Sequence, residues 1–261
     1  MEQFRNAYES HQHSLETLTL INQYEEFMES ISTVADFGCG AGLDIEWWSK
    51  LEYIEYREDK DGNVIGETVR QRNYRCYAVD RDTKQIDTEL PARCTTIQGD
   101  IEQRRVLSGP VDVIWCHDTF QYMTNPIGAL KLWNEQMNEN GMLYIGFPAQ
   151  SCHVHNRWMS RGLNYSYFNH NMISLVYMLA VNGFDCRDAY LKKELGNPWI
   201  QAVVYKTAHA PMDPATTSWY DLIDKGLVNE SMKNSIDRHG SVWQEDLIAL
   251  WLDRQHYFIK D

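Results

Sequence analysis

"VADFGCGAGLDIEWW", residues 34–48, decides the fold of this chain. Strand-forming residues run up to Asp36 and Phe37, glycines stand at 38, 40 and 42, and a helical pattern resumes with Ile45, Trp47 and Trp48. A tight connection between strand and helix needs one glycine. Three at alternate positions behind an acid make a loop that takes positive φ and lets a ligand lie on bare backbone. In open α/β sheets such loops sit at the carboxyl ends of the strands. The dinucleotide fingerprint would need glycine where Leu43 stands, and no Gly-Lys-Ser/Thr triplet of a P-loop is present. The loop carries no Lys or Arg, so a polyphosphate is not its ligand.

Working outward, apolar residues at helical spacing from Ser14 to Ser30 predict a leading helix. Buried strands are expected at 33–37, 76–80, 94–100, 111–117, 141–148, 184–191 and 199–206, with helices at 126–138 and 171–182. Such alternation gives an α/β fold: a Rossmann-like, seven-stranded, mostly parallel sheet with helices on both faces. The last two strands suit an antiparallel hairpin at one edge, so the final strand is expected to run antiparallel. Residues 53–72 alternate in polarity around Asp61–Gly62 and predict a β-hairpin insertion. Lying between a helix end and a strand start, it is expected at the edge away from the ligand, as a sheet extension or partner surface. The Trp47–Trp48 pair is expected to pack the first helix of the fold on the sheet. From Ala208 a Pro-containing linker leads into C-terminal helices, the last with Trp243, Leu247, Leu250, Trp251 and Phe258 near one face. The expected organisation is a domain over 1–207 with a helical extension over 208–261.

The 261 residues suffice for one large domain with a real core. A formal net charge of −13 makes nucleic acid a poor partner. The six cysteines show no CxxC spacing and read as reduced thiols of a cytoplasmic protein. No apolar run is long enough to span a bilayer, and the N-terminus does not look like a signal peptide, so no membrane association is expected.

The pattern D-x-G-x-G-x-G, with Asp36 ahead of the glycines, resembles motif I of the class I S-adenosylmethionine-dependent methyltransferases. The resemblance extends over roughly 33–206. It implies that Asp36, Gly38, Cys39 and Gly40 form the cofactor loop. Asp80, ending "CYAVD" and followed by Arg81, corresponds to the acid that accepts from the ribose hydroxyls. Asp100 of "IQGD", followed by Ile101, corresponds to the acid that accepts from the adenine amino group. "VDVIWCH" is similar to the strand that ends beside the methyl group, which places His117 at the cofactor. The implied cofactor is S-adenosylmethionine, released as S-adenosylhomocysteine. About forty residues separate the glycine loop from Asp80, and the hairpin insertion accounts for the excess.

Methyl transfer from a sulfonium is an in-line displacement, so the protein mainly aligns the reactants and keeps water out. A hydroxyl acceptor also needs a base, and histidine suits neutral pH. The candidate catalytic residues are His117, Tyr122 and His153. His117 is read either as that base or as a group packed against the cofactor. Asp118 falls beside it, and Gln121 and Tyr122 are expected to border the acceptor pocket. The aromatic and polar segment 149–170 is read as a cover over the acceptor or as an exposed loop. His153 and His155 form an H-x-H pair without a visible third ligand, so no metal is expected. Tyr8 and His11 are expected ahead of the first helix, folded back over the cofactor. No Asn/Asp-Pro-Pro-aromatic tetrapeptide, Pro-Cys pair or metal-holding Asp-Asn pair is present. What remains is a metal-free enzyme for a small molecule or for a protein side chain, and the leading reading is transfer to an oxygen or nitrogen of a small molecule, with a small-molecule acceptor as the main partner. The alternatives are a protein that binds S-adenosylmethionine without catalysis, and a methyltransferase for a protein or other macromolecule. A homodimer through the C-terminal helices or the hairpin is a further expectation.

Overall fold

The computed structural model describes residues 2–86, 89–148, 170–192 and 199–242. Among the described residues nine strands form: β1 (Thr33–Phe37), β2 (Glu52–Glu58), β3 (Val64–Gln71), β4 (Arg75–Asp80), β5 (Cys94–Gln98), β6 (Val111–His117), β7 (Met137–Pro148), β8 (Phe184–Lys192) and β9 (Trp199–Lys206). Seven of them make one sheet in the order β5-β4-β1-β6-β7-β9-β8, while β2 and β3 form a separate antiparallel pair. β1 runs parallel to β4 and to β6, β4 to β5, and β6 to β7, whereas β9 is antiparallel to both β7 and β8. The expected antiparallel final strand is therefore present, inserted between β7 and the edge strand β8.

The helices are α1 (Glu2–Ile21), α2 (Glu25–Ser30), α3 (Leu43–Lys50), α4 (Pro126–Asn134), α5 (Met172–Val181), α6 (Trp219–Asp224) and α7 (Met232–His239). The single leading helix expected at 14–30 is two helices. The amides of Gln23 and Tyr24 donate three residues back, to Leu20 and Ile21, which tightens the turn and ends α1. α1 begins at Glu2, so Tyr8 and His11 lie within the first helix instead of ahead of it. α4 stops at Asn134, four residues earlier than its periodicity predicts. Lys206 Nζ donates to the Asn134 and Met137 carbonyls at 2.7 and 2.9 Å, and β7 starts at Met137. α5 opens with a capping box in which Asn171 and Ser174 satisfy each other's amides.

Strand residues alternate between two cores. Val34, Val113, Trp115 and Tyr144 pack with Leu18, Ile21 and Met28 of α1 and α2 and with Ile45 and Trp48 of α3. Ala35, Phe37, Ile114, Cys116 and Ile145 face the other way, onto α4, α5 and the C-terminal helices. Leu222, Leu227, Val228, Met232 and Val242 belong to this second core, so the described part of the 208–261 extension packs on the sheet. The expected last helix, with Trp243 to Phe258, lies outside the described residues. Trp48 is fully buried against Tyr74 and Trp115, as the packing reading of the Trp pair requires.

The hairpin β2–β3 leaves the C-terminal end of α3 and returns at Arg72, close to the start of β4. Arg72 joins it to the first helices by bonding Glu25 at 2.7 Å and Asn22 at 3.3 Å. It is therefore attached at the amino ends of the strands. No helix of the described residues is long and apolar enough to cross a membrane.

Candidate active site

The chain runs from β1 outward through β4 to β5, then returns to the other side of β1 as β6. Strand order thus reverses between β1 and β6, where a ligand crevice opens at the strands' carboxyl ends. A cavity of about 320 Å³ opens there, walled by Gly38–Gly40, Asp80, Arg81, Ile101, Glu102, His117–Thr119, Tyr122 and His11.

Gly38 has φ +79°, and its amide and that of Cys39 donate to the Val79 carbonyl at 2.8 and 3.1 Å. A Cβ at Gly38 would come within 2.3 Å of the Thr119 side chain, whose Oγ1 donates to the Gly38 carbonyl at 3.1 Å. Gly40, at φ +48°, faces open space: a Cβ there would meet nothing within 4 Å. The loop is therefore tight on its protein side and bare on its cavity side. That is the cradle a nucleoside needs, and the fit is in the backbone itself.

Asp80 at the end of β4 accepts the Gly40 amide through Oδ2 at 3.0 Å and the Asp82 amide through Oδ1 at 2.9 Å. Its carboxylate is thereby aimed into the cavity with lone pairs left to accept from hydroxyls. Asp36 is buried beneath the loop and does not line the cavity. Its Oδ2 has no hydrogen-bond partner among the described residues. Burial, with Asp44 and Asp80 nearby, holds its carboxyl well above the usual range. Burial likewise pushes the Cys39 thiol up, so it lines the cavity as a neutral group.

Asp100 borders an adjoining hollow with Arg81, Gln98, Gly99 and Arg104. Its carboxylate meets the Arg81 guanidinium at 3.4 Å and accepts the Glu102 amide at 2.9 Å. Glu102, which the motif did not single out, lines the main cavity. It is buried, meets Arg81 at 3.4 Å, and accepts from the Thr124 hydroxyl and the Asn125 amide. No local pattern marks it, because those partners lie more than twenty residues away.

His117 ends β6, buried, with Nδ1 3.0 Å from the Tyr144 hydroxyl and its ring stacked on Trp199 at 4.9 Å. Asp118 follows with φ +50°, an uncommon conformation for a non-glycine residue. Burial pushes its carboxyl up to about 6, although Gln121 Nε2 donates to it at 2.6 Å. Tyr122 also lines the cavity, and burial raises its phenol to about 12, so it stays a hydrogen-bond donor. His153, His155 and most of the expected 149–170 cover lie outside the described residues. Its last residue, His170, is buried between Phe120 and Phe147, and burial lowers its ring to about 4. No cluster of metal-ligating side chains occurs among the described residues.

His11 reaches the same cavity from α1. Its Nδ1 lies 2.9 Å from Oδ1 of Asp44, in the first turn of α3. Asp44 escaped the sequence reading, since an acid in the first turn of a helix is ordinary.

A methyltransferase-domain family model matches residues 9–183, about two thirds of the chain, and the chain belongs to that family of S-adenosylmethionine-dependent, class I enzymes. Among curated proteins, none matches it in sequence. Among solved structures, the chain is similar to magnesium protoporphyrin IX methyltransferase (ChlM) from Synechocystis PCC 6803 with bound SAH. The identity is 15% and the TM-score 0.52, covering 76% of this chain and 84% of that one. It is also similar to human N-acetylserotonin methyltransferase in complex with SAM, at 10% identity and TM-score 0.51, over 73% of this chain and 51% of that one. Identities this low show the shared fold.

Proposed function

We propose that this methyltransferase acts in the cytoplasm on an oxygen or nitrogen of a small molecule. The observation that carries the reading is the walled cavity at the strand-order reversal, with the Asp80 carboxylate bonded to the Gly40 amide on one side and His11, His117 and Tyr122 on the other. A polymer substrate calls for a broad groove with a basic or peptide-shaped lining. The wall of this cavity instead mixes three acids and aromatic rings with a single arginine, Arg81, which is paired to Asp100 and Glu102.

When bound, S-adenosylmethionine supplies a methyl group already activated on a sulfonium. The residues of the chain do the rest. Asp80 accepts from the ribose hydroxyls, and the backbone of Gly38–Gly40 carries the nucleoside. Asp100 and Ile101 take the adenine, with Glu102 as a second carboxylate within the cavity. His117, fixed by Tyr144 and Trp199, packs beside the reacting end, and Tyr122 borders the acceptor. Rigid side chains around the transfer line keep the nucleophile in line and water out, which is most of what this displacement requires.

The test is calorimetry with S-adenosylhomocysteine, followed by turnover with S-adenosylmethionine and a broad panel of small hydroxyl and amine acceptors. Binding together with product formation supports the reading. Tight binding with no turnover across the panel overturns it in favour of a non-catalytic cofactor-binding protein.

A further inference from the structure

The proposed reading leaves open which atom is methylated and where its proton goes. The cavity wall holds a group suited to that proton, contributed by α1, and a carboxylate orients it from the helix just after the glycine loop.

His11 stands on α1, and α1 is fastened to the sheet on the side of the crevice. Trp115 Nε1 donates to Ser14 Oγ at 2.8 Å, Thr17 Oγ1 donates to Gln201 Oε1, and the His13 ring lies 5.6 Å from that of Trp199. Leu18 and Ile21, a further turn or two along, are fully buried. The helix therefore delivers His11 to a fixed place instead of draping it loosely over the site. That place is 5.2 Å, ring to ring, from His117 and edge-on to Trp47 at 6.2 Å.

Asp44 is 2% exposed, and its carboxylate bonds His11 Nδ1. A buried carboxylate on one ring nitrogen sets the tautomer: Nδ1 carries the hydrogen and Nε2 keeps its lone pair. The ring lines the cavity. This is the arrangement of a base held by an orienting acid, with nothing in the nucleoside cradle to account for it.

We propose that the His11–Asp44 pair receives the proton of a hydroxyl acceptor, which makes this chain an oxygen methyltransferase. The inference rests on the proposed function. As the acceptor oxygen bonds to the methyl carbon, the carbon–sulfur electron pair stays with sulfur and the positive charge of the sulfonium is cancelled. The O–H proton passes to His11 Nε2, the imidazolium is stabilised by the Asp44 carboxylate, and the proton then leaves to solvent. A neutral amine nitrogen is nucleophilic before it loses a proton and forms an ammonium that releases one to solvent afterwards, so it needs the pair less. Asp44 is the positioning residue and His11 the catalytic one.

The groups facing His11 are Asp44 on α3, with Asp118 and His117 at the end of β6. Burial works against a charge on the ring, but the bond to Asp44 and the negative charges of Asp44 and Asp118 outweigh it and raise its pKa above 6.5. For Asp44, burial is likewise outweighed, by the bond and charge of His11 together with His117 and the Ser14 hydroxyl, and its carboxyl is held below the usual range.

The experiment uses full-length wild type, His11→Ala and Asp44→Asn, with S-adenosylhomocysteine for calorimetry and S-adenosylmethionine plus phenol, catechol and benzylamine for turnover. H11A is expected to bind S-adenosylhomocysteine within about threefold of wild type and to lose on the order of 100-fold in kcat on the faster phenolic acceptor. Benzylamine turnover falls by less than about tenfold, and added imidazole restores part of the phenolic rate. By NMR, with no acceptor present, the His11 ring titrates above 6.5 in wild type and lower in D44N. Full phenolic turnover by H11A, or identical His11 titration in wild type and D44N, overturns the pair. Wild type that binds S-adenosylhomocysteine yet methylates benzylamine and not the phenols overturns the hydroxyl assignment alone. Wild type that binds no S-adenosylhomocysteine overturns the proposed function beneath it.

Discussion

Asp80 Oδ2 accepts the Gly40 amide at 3.0 Å, across forty residues of sequence. One bond thus joins the end of β4 to the glycine loop and fixes the direction of the carboxylate proposed to hold the ribose. Asp80→Asn keeps the size and one acceptor oxygen but loses the charge and one pair of acceptor sites. Affinity for S-adenosylhomocysteine is expected to fall about 10- to 100-fold by calorimetry, with a change in Tm of only a few degrees. Unchanged affinity would remove Asp80 from the site.

Gly38 and Gly40 separate stability from binding. Gly38→Ala puts a Cβ against the Thr119 side chain at a left-handed φ, so it is expected to cost roughly 2–4 kcal/mol in chemical denaturation. Gly40→Ala meets no protein atom, costs only about 1 kcal/mol, and instead weakens S-adenosylhomocysteine binding by projecting into the cavity. Two variants with equal losses of stability would contradict this division of the loop.

Asp118 carries a penalty whose sign is fixed by its environment. Burial lifts its folded pKa to about 6, above the ordinary carboxylate value of 3.8. The folded state therefore holds a proton that the unfolded chain releases, and stability declines as pH rises from 3.8 to 6. Asp118→Asn keeps an oxygen for Gln121 and tolerates the left-handed backbone. It is expected to be more stable than wild type above pH 6 by on the order of 1–3 kcal/mol, with the advantage fading below pH 4. Denaturation midpoints across that range provide the check.

The two acids on either side of Ile101 make different predictions. Glu102 is buried in the cavity wall and holds Thr124 and Asn125, whereas Asp100 sits in the adjoining hollow beside Arg81. Glu102→Gln is expected to lower Tm by several degrees through lost charged hydrogen bonds, while Asp100→Asn weakens cofactor binding about tenfold at nearly constant Tm. Calorimetry and thermal melts of the two variants distinguish the roles.

Truncation after Thr207 tests the attachment of the C-terminal helices. It strips Leu222, Leu227, Val228 and Met232 from the core, each fully buried or nearly so. At roughly 1.5–3 kcal/mol per side chain, the loss is comparable to the whole stability of a domain. The shortened chain is expected to unfold or aggregate, seen by loss of a cooperative melt. A folded, cofactor-binding fragment would show that 208–242 is a dispensable appendage.

Most of the architecture was legible in one dimension because its causes are local. The near-continuous apolar run of "VDVIWCH" marks a strand buried on both faces. Asp61–Gly62 marks a hairpin, and Gly38 and Gly40 mark a turn that other residues resist. The apolar run of "CYAVD" marks a strand that ends at Asp80, and the resemblance to the class I methyltransferases is what singled out that acid. Two boundaries failed for different reasons: the distant Lys206 bonds the end of α4, whereas a tight local turn after Ile21 splits the leading helix.

The sequence by itself determined the α/β class, the glycine loop and the acid at the end of β4, since backbone conformation and strand patterning depend on neighbouring residues. Only the tertiary structure decided that His11 meets Asp44, that Glu102 rather than Asp100 lines the cavity, and that the C-terminal helices close the core. Those relationships join residues dozens of positions apart, and no periodicity carries them. They exist because packing two faces of one sheet leaves each side chain a single place to go.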